Sequence, residues 1–341
     1  MSERGFLTLA LESSCDDTAV AILEGQRTIR SSVISSQIDS HSPFGGVVPE
    51  FASRMHLEAV LPLLDRALLE AGISDPKRDI DLLAVTSGPG LMGSLLVGVM
   101  AMKGLAQGWG KPILGVNHLE GHIFANVVNH PDLDPPFLAM IVSGGHTEVV
   151  LVKELGDYRV IGETRDDAAG EAYDKVAKLL GLGYPGGPII DKLALTGNER
   201  AFDFPVPLRS SEKVEFSFSG LKTSVLSQVE KLRKNGQPLP LEDLCASFQR
   251  AVAQSLVSKL HIAVSLTGVR KVAVSGGVGA NSYLRKKLLT QTAWKAYLPD
   301  PFYCTDNGVM IAGAAYHGWN RGRRSDLELS PSPSWRITDG V

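Results

Sequence analysis

At 341 residues, with 44% hydrophobic and 21% charged side chains, the chain has the balance of a globular enzyme. It is long enough for two packed units of roughly 150 residues each, and disordered or collagen-like classes are excluded. Thirty-four Lys plus Arg against 37 Asp plus Glu leave a net charge of -3. No chain-wide basic field therefore marks a nucleic-acid binder, and such a partner requires a local patch or a second subunit. Cys15, Cys245 and Cys304 are few, odd in number and far apart, and no Cys-x-x-Cys pair exists. That argues against a disulfide framework and for a reducing compartment. Met1 to Thr8, with Glu3 and Arg4, lacks the shape of a secretory signal. The apolar stretch Leu91 to Met102 is interrupted by Gly93, Ser94 and Gly98 and is too short to span a bilayer. The expectation is a cytoplasmic protein with no membrane association.

In chain order, Phe6 to Leu11 and Ala19 to Leu23 read as strands joined by the polar turn Glu12 to Thr18, and Thr28 to Ser35 supplies a third. Pro49 opens a helix whose apolar residues Phe51, Met55, Val60, Leu64 and Leu68 recur until Gly72, with Pro62 as a kink. Leu82 to Thr86 is a buried strand that runs through Ser87-Gly88-Pro89-Gly90 into a small-residue helix, Met92 to Gln107. The same strand, glycine turn and helix recur as Ala273 to Gly279 and beyond. The opening hairpin recurs as Phe137 to Val142, Ser143 to Thr147, and Val149 to Val152. Two similar β-β-β-α-β-α halves would surround a central cleft, as in the actin, hexokinase and heat-shock-70 class of folds. Asn198 to Glu215 lacks periodicity, Lys231 to Pro240 reads as a polar linker, Glu242 to Leu266 as a long helix, and the Ser- and Pro-rich tail after Trp319 as a fraying end.

His118-Leu119-Glu120-Gly121-His122 places two imidazoles four residues apart, on one face of a helix, which suits a single metal ion. An ordinary pair of core histidines fits equally well. The order is not His-Glu-x-x-His, so a carboxylate must come from elsewhere. Asp306, in Cys304-Thr305-Asp306-Asn307-Gly308, could supply it or could cap the helix that follows. Ser143-Gly144-Gly145-His146-Thr147 offers consecutive N–H groups as a nest for phosphate oxygens, and Ser87 to Gly90 and Ser275 to Asn281 repeat the theme. Close helix–strand packing explains isolated glycine turns as well, and none matches a Walker or dinucleotide pattern. Asp166 and Asp167 read as the acidic first turn of a helix, with Asp174 further inside it and able to accept from a ligand hydroxyl or ammonium. Tyr184 to Asp191 reads as a tight turn into another helix. There Gly187 allows close ligand approach, and Asp191 is a ligand contact or a solvated carboxylate.

Taken together, the segments Glu12 to Thr18, Phe44 to Glu50, Gly88 to Gly93, His118 to His122, Val142 to Thr147, Asp166 to Lys175, Ser217 to Thr223 and Cys304 to Gly308 closely resemble the tRNA threonylcarbamoyladenosine transferase family, TsaD, formerly described as O-sialoglycoprotein endopeptidases. The resemblance covers nearly the whole chain. It implies an α/β chain of the actin-like ATPase fold, with two similar lobes around a nucleotide-binding cleft. A first lobe would span 1–130 and a second 131–325 with a helical insertion at about 185–265, followed by a flexible tail, 326–341. It also implies transfer of the threonylcarbamoyl group from threonylcarbamoyl-AMP to N6 of the adenosine 3′ of the anticodon, position 37, in tRNAs reading codons that begin with A, with release of AMP. By the family pattern His118, His122 and Asp306 bind one iron or zinc ion. Its intermediate-binding positions fall on Ile141, Val142, Ser143, Gly144, Gly145, Asp174, Gly187, Asp191 and Asn281, where an adenine nucleotide, threonylcarbamoyl-AMP or ATP, would be held. The implied partners are tRNA, a TsaB paralogue, the ATPase TsaE, and a TsaC-type enzyme that makes the intermediate.

The chain departs from that pattern at Ser13, Asp17, Glu148 and Gly279, and Glu148 would add negative charge beside the nest if it pointed inward. The chemistry expected is acyl transfer at the carbamoyl carbonyl without a covalent nucleophile. The general base is unassigned, with Asp16 and Asp17 as candidates. Three rivals stand beside this reading: a metalloprotease acting through His118 and His122, an ATP-driven kinase or ATPase, and a non-catalytic nucleotide-binding assembly module. Arg321 to Arg324, Arg285 to Lys287 and Lys231 to Lys234 are the local basic candidates for tRNA.

Overall fold

The computed structural model describes residues 5–339. Glu3 and Arg4, and the last two positions of the expected tail, lie outside the described residues. The chain divides into two compact units: one runs to Asp132 and takes up the chain again from Asp306, and the other is Leu133–Thr305.

The first unit is built on five strands, β1 (Leu7–Glu12), β2 (Asp17–Glu24), β3 (Thr28–Ser36), β4 (Leu82–Gly88) and β5 (Ile113–Asn117), in the order β3-β2-β1-β4-β5. β1 pairs antiparallel with β2, setting Leu9 opposite Ile22, and parallel with β4, setting Leu9 opposite Leu83. Every residue of β1, β4 and β5 is buried, as continuous apolar runs require when a sheet is covered on both faces. Helices Pro49–Glu70 and Met92–Trp109 pack on each other and carry the chain from β3 to β4 and from β4 to β5. Helices His118–Asn129 and Gly308–Asn320 pack together, and the latter also lies against β1 and β2. The long helix from Pro49 buries Ala52, His56, Val60, Leu63, Leu64 and Ala67. Its inward face is thus rotated from the one the apolar residues alone mark, and Phe51 stays partly exposed.

The second unit repeats the plan with β6 (Phe137–Val142), β7 (Thr147–Glu154), β8 (Asp157–Glu163), β9 (Lys271–Ser275) and β10 (Lys295–Tyr297), in the order β8-β7-β6-β9-β10. β6 is antiparallel to β7 and parallel to β9, matching β1 with β2 and β4. Between β8 and β9 stand helices Ala169–Leu179, Gly186–Ala194, Ser219–Lys234 and Leu241–Thr267. The last of these is integral to the core: Phe248, Val252, Leu256 and Leu260 pack with Leu138, Met140, Val272 and Val274 of the sheet. Gly268 ends it in the left-handed region (φ 71°), where a residue without Cβ is favoured.

Two expectations about the end of the chain are corrected. Residues 306–325 belong to the first unit, because Gly308–Asn320 buries Val309, Ile311, Ala312 and Ala315 there. The segment expected to fray is instead tied down: Ser332 N–H donates to Ser87 O (2.7 Å), Gly90 N–H to Pro333 O (3.2 Å), and Ile337 is buried. Arg323 anchors this return, its Nη1 donating to both carboxylate oxygens of the fully buried Glu120 at 3.1 and 2.8 Å. Removing Arg323 would leave that buried charge without its cation. Arg323→Ala is therefore expected to cost about 3–5 kcal/mol, with Arg323→Ala/Glu120→Gln recovering part of it, as measured by urea unfolding.

Candidate functional site

The metal-type residues expected from the sequence converge within the first unit. Asn117, the last residue of β5, caps the next helix, its Oδ1 accepting from the N–H of Leu119 (2.9 Å) and Glu120 (3.3 Å), so the helix starts at His118. His118 and His122 then lie one turn apart with ring centroids 4.7 Å from each other. Asp306 precedes the helix Gly308–Asn320 but does not cap it; Asn307 does, accepting from Met310 N–H at 2.9 Å. The Asp306 carboxylate faces the imidazoles, with Oδ1 3.6 Å from His118 Nε2 and 3.4 Å from His122 Nε2. One nitrogen from each histidine and one Asp306 oxygen all lie within 4.8 Å of one another.

The sequence reading missed the residue that orients this cluster. Glu12, at the end of β1 and fully buried, places Oε2 3.0 Å from His118 Nδ1 and 2.6 Å from the donating Thr86 hydroxyl, while Oε1 accepts from Ser14 N–H. A carboxylate on Nδ1 fixes the orientation of the ring, so that Nε2 is the nitrogen turned toward Asp306. Burial lowers the affinity of His118 for a proton, but Asp306 and Glu12 outweigh it and push the imidazole up to about 9. Burial holds His122 below the usual range. Two imidazole nitrogens and one carboxylate oxygen thus face one another, a donor set that fits a borderline transition metal such as iron or zinc. The signal for Glu12 was a carboxylate ending a strand with no exposed position. Nearby, burial raises the carboxyl of Asp16 and pushes that of Asp17 up to about 7, with Asp306 adding to both.

The expected nucleotide residues gather within the second unit. Ile141 and Val142 end β6, and Ser143 to His146 form the turn into β7, closed by Ser143 N–H to His146 O (2.8 Å). Gly144 and Gly145 are exposed, and a Cβ on either would meet nothing within 4 Å. Gly170 N–H donates to Ser143 O (3.1 Å), and Thr147 Oγ1 accepts from Ala169 N–H (2.9 Å), which docks the start of helix Ala169–Leu179 on this turn. Asp174 accepts from Gly186 N–H at 2.7 Å, at the start of the helix holding Gly187, whose Cα faces open space. Asp191 accepts from the N–H and hydroxyl of Ser282, each at 2.9 Å, and so is not simply a solvated carboxylate. Asn281 accepts from Leu284 N–H and donates to Gln249 Oε1 at 2.7 Å. All nine positions thus lie in the second unit, with Asp174 bonded beside Gly187 and Asp191 bonded beside Asn281.

Two expectations change. Asp166 and Asp167 do not open the helix after them, which starts at Ala169. Asp166 accepts from the Phe218 and Ser219 N–H groups and the Ser217 hydroxyl, and Asp167 pairs with Lys175 (2.9 Å) and Lys222 (3.2 Å). The turn Ser87 to Gly90 is not an open nest. The chain's own segment 332–335 lies on it, and a Cβ on Gly88, itself at φ 153°, would collide with the Ser332 carbonyl. Glu148 does not point toward the phosphate nest. It is buried opposite Glu163 of β8, its Oε1 without a hydrogen-bond partner among the described residues, and burial with the Glu163 charge pushes its carboxyl up to about 7.

The family profile described as "TsaD: tRNA N6-adenosine threonylcarbamoyltransferase" matches residues 28–313. The chain is 50% identical over 334 residues to a protein of that name from Clostridium beijerinckii, covering 97% of this chain and 98% of the relative. It is 48% identical over 330 residues to another from Dictyoglomus turgidum, covering 96% and 98%. Among solved structures, HypF of T. kodakarensis superposes with a TM-score of 0.61 at 18% identity, over 94% of this chain and 48% of that one. The activator of the 2-hydroxyisocaproyl-CoA dehydratase from Clostridium difficile superposes with 0.55 at 16% identity, over 94% and 100%. These likenesses establish the actin-like ATPase fold. No described helix is long and apolar enough to cross a membrane.

Glu12→Gln retains the shape of the side chain but weakens its hold on His118. Affinity for added Zn²⁺ is expected to fall by about 10- to 100-fold in calorimetric titration, with folding retained. Glu148 titrates near 7 folded, against 4.5 as the ordinary value. Its protonated form is therefore favoured by folding below about pH 4.5, and that contribution is lost as pH rises through 7. Glu148→Gln should accordingly match the native chain at pH 4 and exceed it by on the order of 3 kcal/mol at pH 8 in denaturant unfolding.

Proposed function

Since the chain belongs to the TsaD family of tRNA N6-adenosine threonylcarbamoyltransferases, we propose that it moves the threonylcarbamoyl group of threonylcarbamoyl-AMP to N6 of the adenosine 3′ of the anticodon, position 37. The observation that carries the reading beyond the family's reaction is the cluster of His118, His122 and Asp306 backed by Glu12. His118, His122 and Asp306 would hold one iron or zinc ion. Such an ion supplies Lewis acidity toward the carbamoyl carbonyl of the substrate.

The adenylate end is assigned to the turn from Ile141 to Gly145, with Asp174, Gly187, Asp191 and Asn281. The N–H groups of Ser143 to Gly145 are donors for the phosphate, and open space at Gly144, Gly145 and Gly187 lets backbone approach a ligand closely. The carbamoyl donor is a mixed anhydride. A C–N bond forms from the adenosine amine, the C–O bond to AMP breaks, the N6 proton leaves to a base, and AMP departs as a stable phosphate. No covalent protein nucleophile is needed once the groups are positioned. The protease alternative lacks the His-Glu-x-x-His order, and Glu120, the carboxylate between the two histidines, has both oxygens engaged by Arg323.

The proposed partners are tRNA, a TsaB paralogue, TsaE and a TsaC-type supplier of the intermediate. Support for a protein partner comes from two packed helices of the first unit. Leu57 and Leu61 are 65% and 64% exposed on one, and Met92, Leu96 and Met100 follow at four-residue spacing on the other. An apolar face of that kind is the surface a paralogous subunit would cover. The setting proposed is the cytoplasm.

The reading is tested with labelled threonine, threonylcarbamoyl-AMP, unmodified tRNA and the partner subunits. Native chain should place label in tRNA, and His118→Ala should lower transfer by at least a hundredfold together with bound metal. Full activity of His118→Ala in metal-free form would sink the assignment of the metal residues.

A further inference from the structure

The second unit contains a cavity of about 810 Å³ that includes none of the residues assigned above to adenylate or metal. One wall is a single face of the helix Leu241–Thr267, from Arg250 to His261. Another is the aperiodic segment at 203–209, and helix Ser282–Leu289 contributes Lys287. Its size is that of a pocket for a nucleotide-sized group.

The lining combines two chemistries. Phe204, Val206 and Val257 supply an apolar floor, whereas Arg209, Arg250 and Lys287 bring three cations from three separate elements. Asp203 is the acidic residue of the lining. It lies 3.5 Å from Arg250 with its carboxylate fully in solvent, where pairing is weak. The cavity therefore carries an excess of two positive charges in a chain whose net charge is -3.

The wall bearing Arg209 is fixed at some cost. Lys259 is completely buried, and its Nζ donates to Leu208 O (2.9 Å) and Ser211 O (2.7 Å), the carbonyls on either side of Arg209. Leu208 itself sits at φ 50°, in the left-handed region that side chains with Cβ disfavour. Further along the same segment, the Ser247 hydroxyl accepts from Phe202 N–H (3.2 Å) and donates to Asn198 O (3.3 Å). A buried lysine thus fixes the strained backbone on either side of Arg209, so that Arg209 stands at the cavity on a held segment.

We infer that this cavity receives one phosphate-linked nucleotide of the tRNA substrate, its phosphate against Arg209 and Lys287 and its base on the apolar floor. Cations drawn from separate elements suit a phosphodiester. A flat base suits the apolar surface of Val206 and Val257, which the almost fully buried Phe204 backs, and the Gln254 amide offers both a donor and an acceptor to a base edge. The inference rests on tRNA being the substrate. It locates on this chain a basic contact that the overall charge does not provide.

The test uses the full chain assembled with its partner subunits and fluorescent unmodified tRNA, with anisotropy followed from about 50 to 200 mM salt. Arg209→Glu/Lys287→Glu should raise Kd at least tenfold at the lowest salt, flatten the log–log salt slope by about 0.7 to 0.9 per lost phosphate contact, and raise KM for tRNA but not for threonylcarbamoyl-AMP. Lys153→Glu, a charge reversal at an exposed position of β7, should change none of these. A double variant that binds tRNA like Lys153→Glu while retaining its thermal unfolding profile overturns the inference. So does a native complex that binds no tRNA, or photolabelling of the cavity by 8-azido-AMP without competition from tRNA. Binding that weakens as expected while no transfer occurs with any chain would leave this site standing and remove the transfer reading instead.

Discussion

A buried carboxylate at the end of the first strand organises the first unit. Glu12 has no solvent to share its charge, and burial alone would drive it toward protonation. His118 reverses that and holds it below the usual carboxylate range. Its oxygens are shared among the turn after β1 at Ser14, the strand β4 at Thr86 and the helix carrying His118. Three segments far apart in sequence therefore meet on one anion. Their meeting sets the orientation of the imidazole that faces Asp306, and Asp306 arrives only because the chain returns to this unit after completing the other.

The two sheets share one strand order and one pattern of parallel and antiparallel pairing, and they have been put to different uses. In the first unit the turn after β4 is covered by the chain's own C-terminal segment, and the helix after β5 bears the metal-type ligands. In the second, the turn after β6 remains open, and its neighbours Asp174, Asp191 and Asn281 are tied to helix starts. The turn itself is closed by bonds between Ser143 and His146 and docked on the following helix by Gly170 N–H to Ser143 O.

Charge is distributed with similar economy. The acidic side chains that look like an opening helical turn, Asp166 and Asp167, secure helix Ser219–Lys234 and two lysines instead. Lys259, on the long helix Leu241–Thr267, is fully buried and braces an irregular segment from beneath. Apart from Lys175, which is eight residues from Asp167, these partners lie some fifty residues away in sequence, and local periodicity carries no trace of them.

The amino-acid sequence by itself determined the α/β class and the internal duplication, and its family motifs marked His118, His122 and Asp306 as residues to expect together. These follow from short-range regularities: strand-length apolar runs, glycine turns repeated at matching places, two histidines one helical turn apart, and family motifs dense enough to recognise. Only the tertiary structure decided that Glu12 orients His118 and that Asn307 rather than Asp306 caps its helix. The same holds for the placement of residues from Asp306 onward with the first unit, and for the closing of the Gly88 turn by residues 332–335. Each depends on which distant groups are driven to satisfy a buried charge or a buried backbone amide, and that choice is made by packing in three dimensions rather than by spacing along the chain.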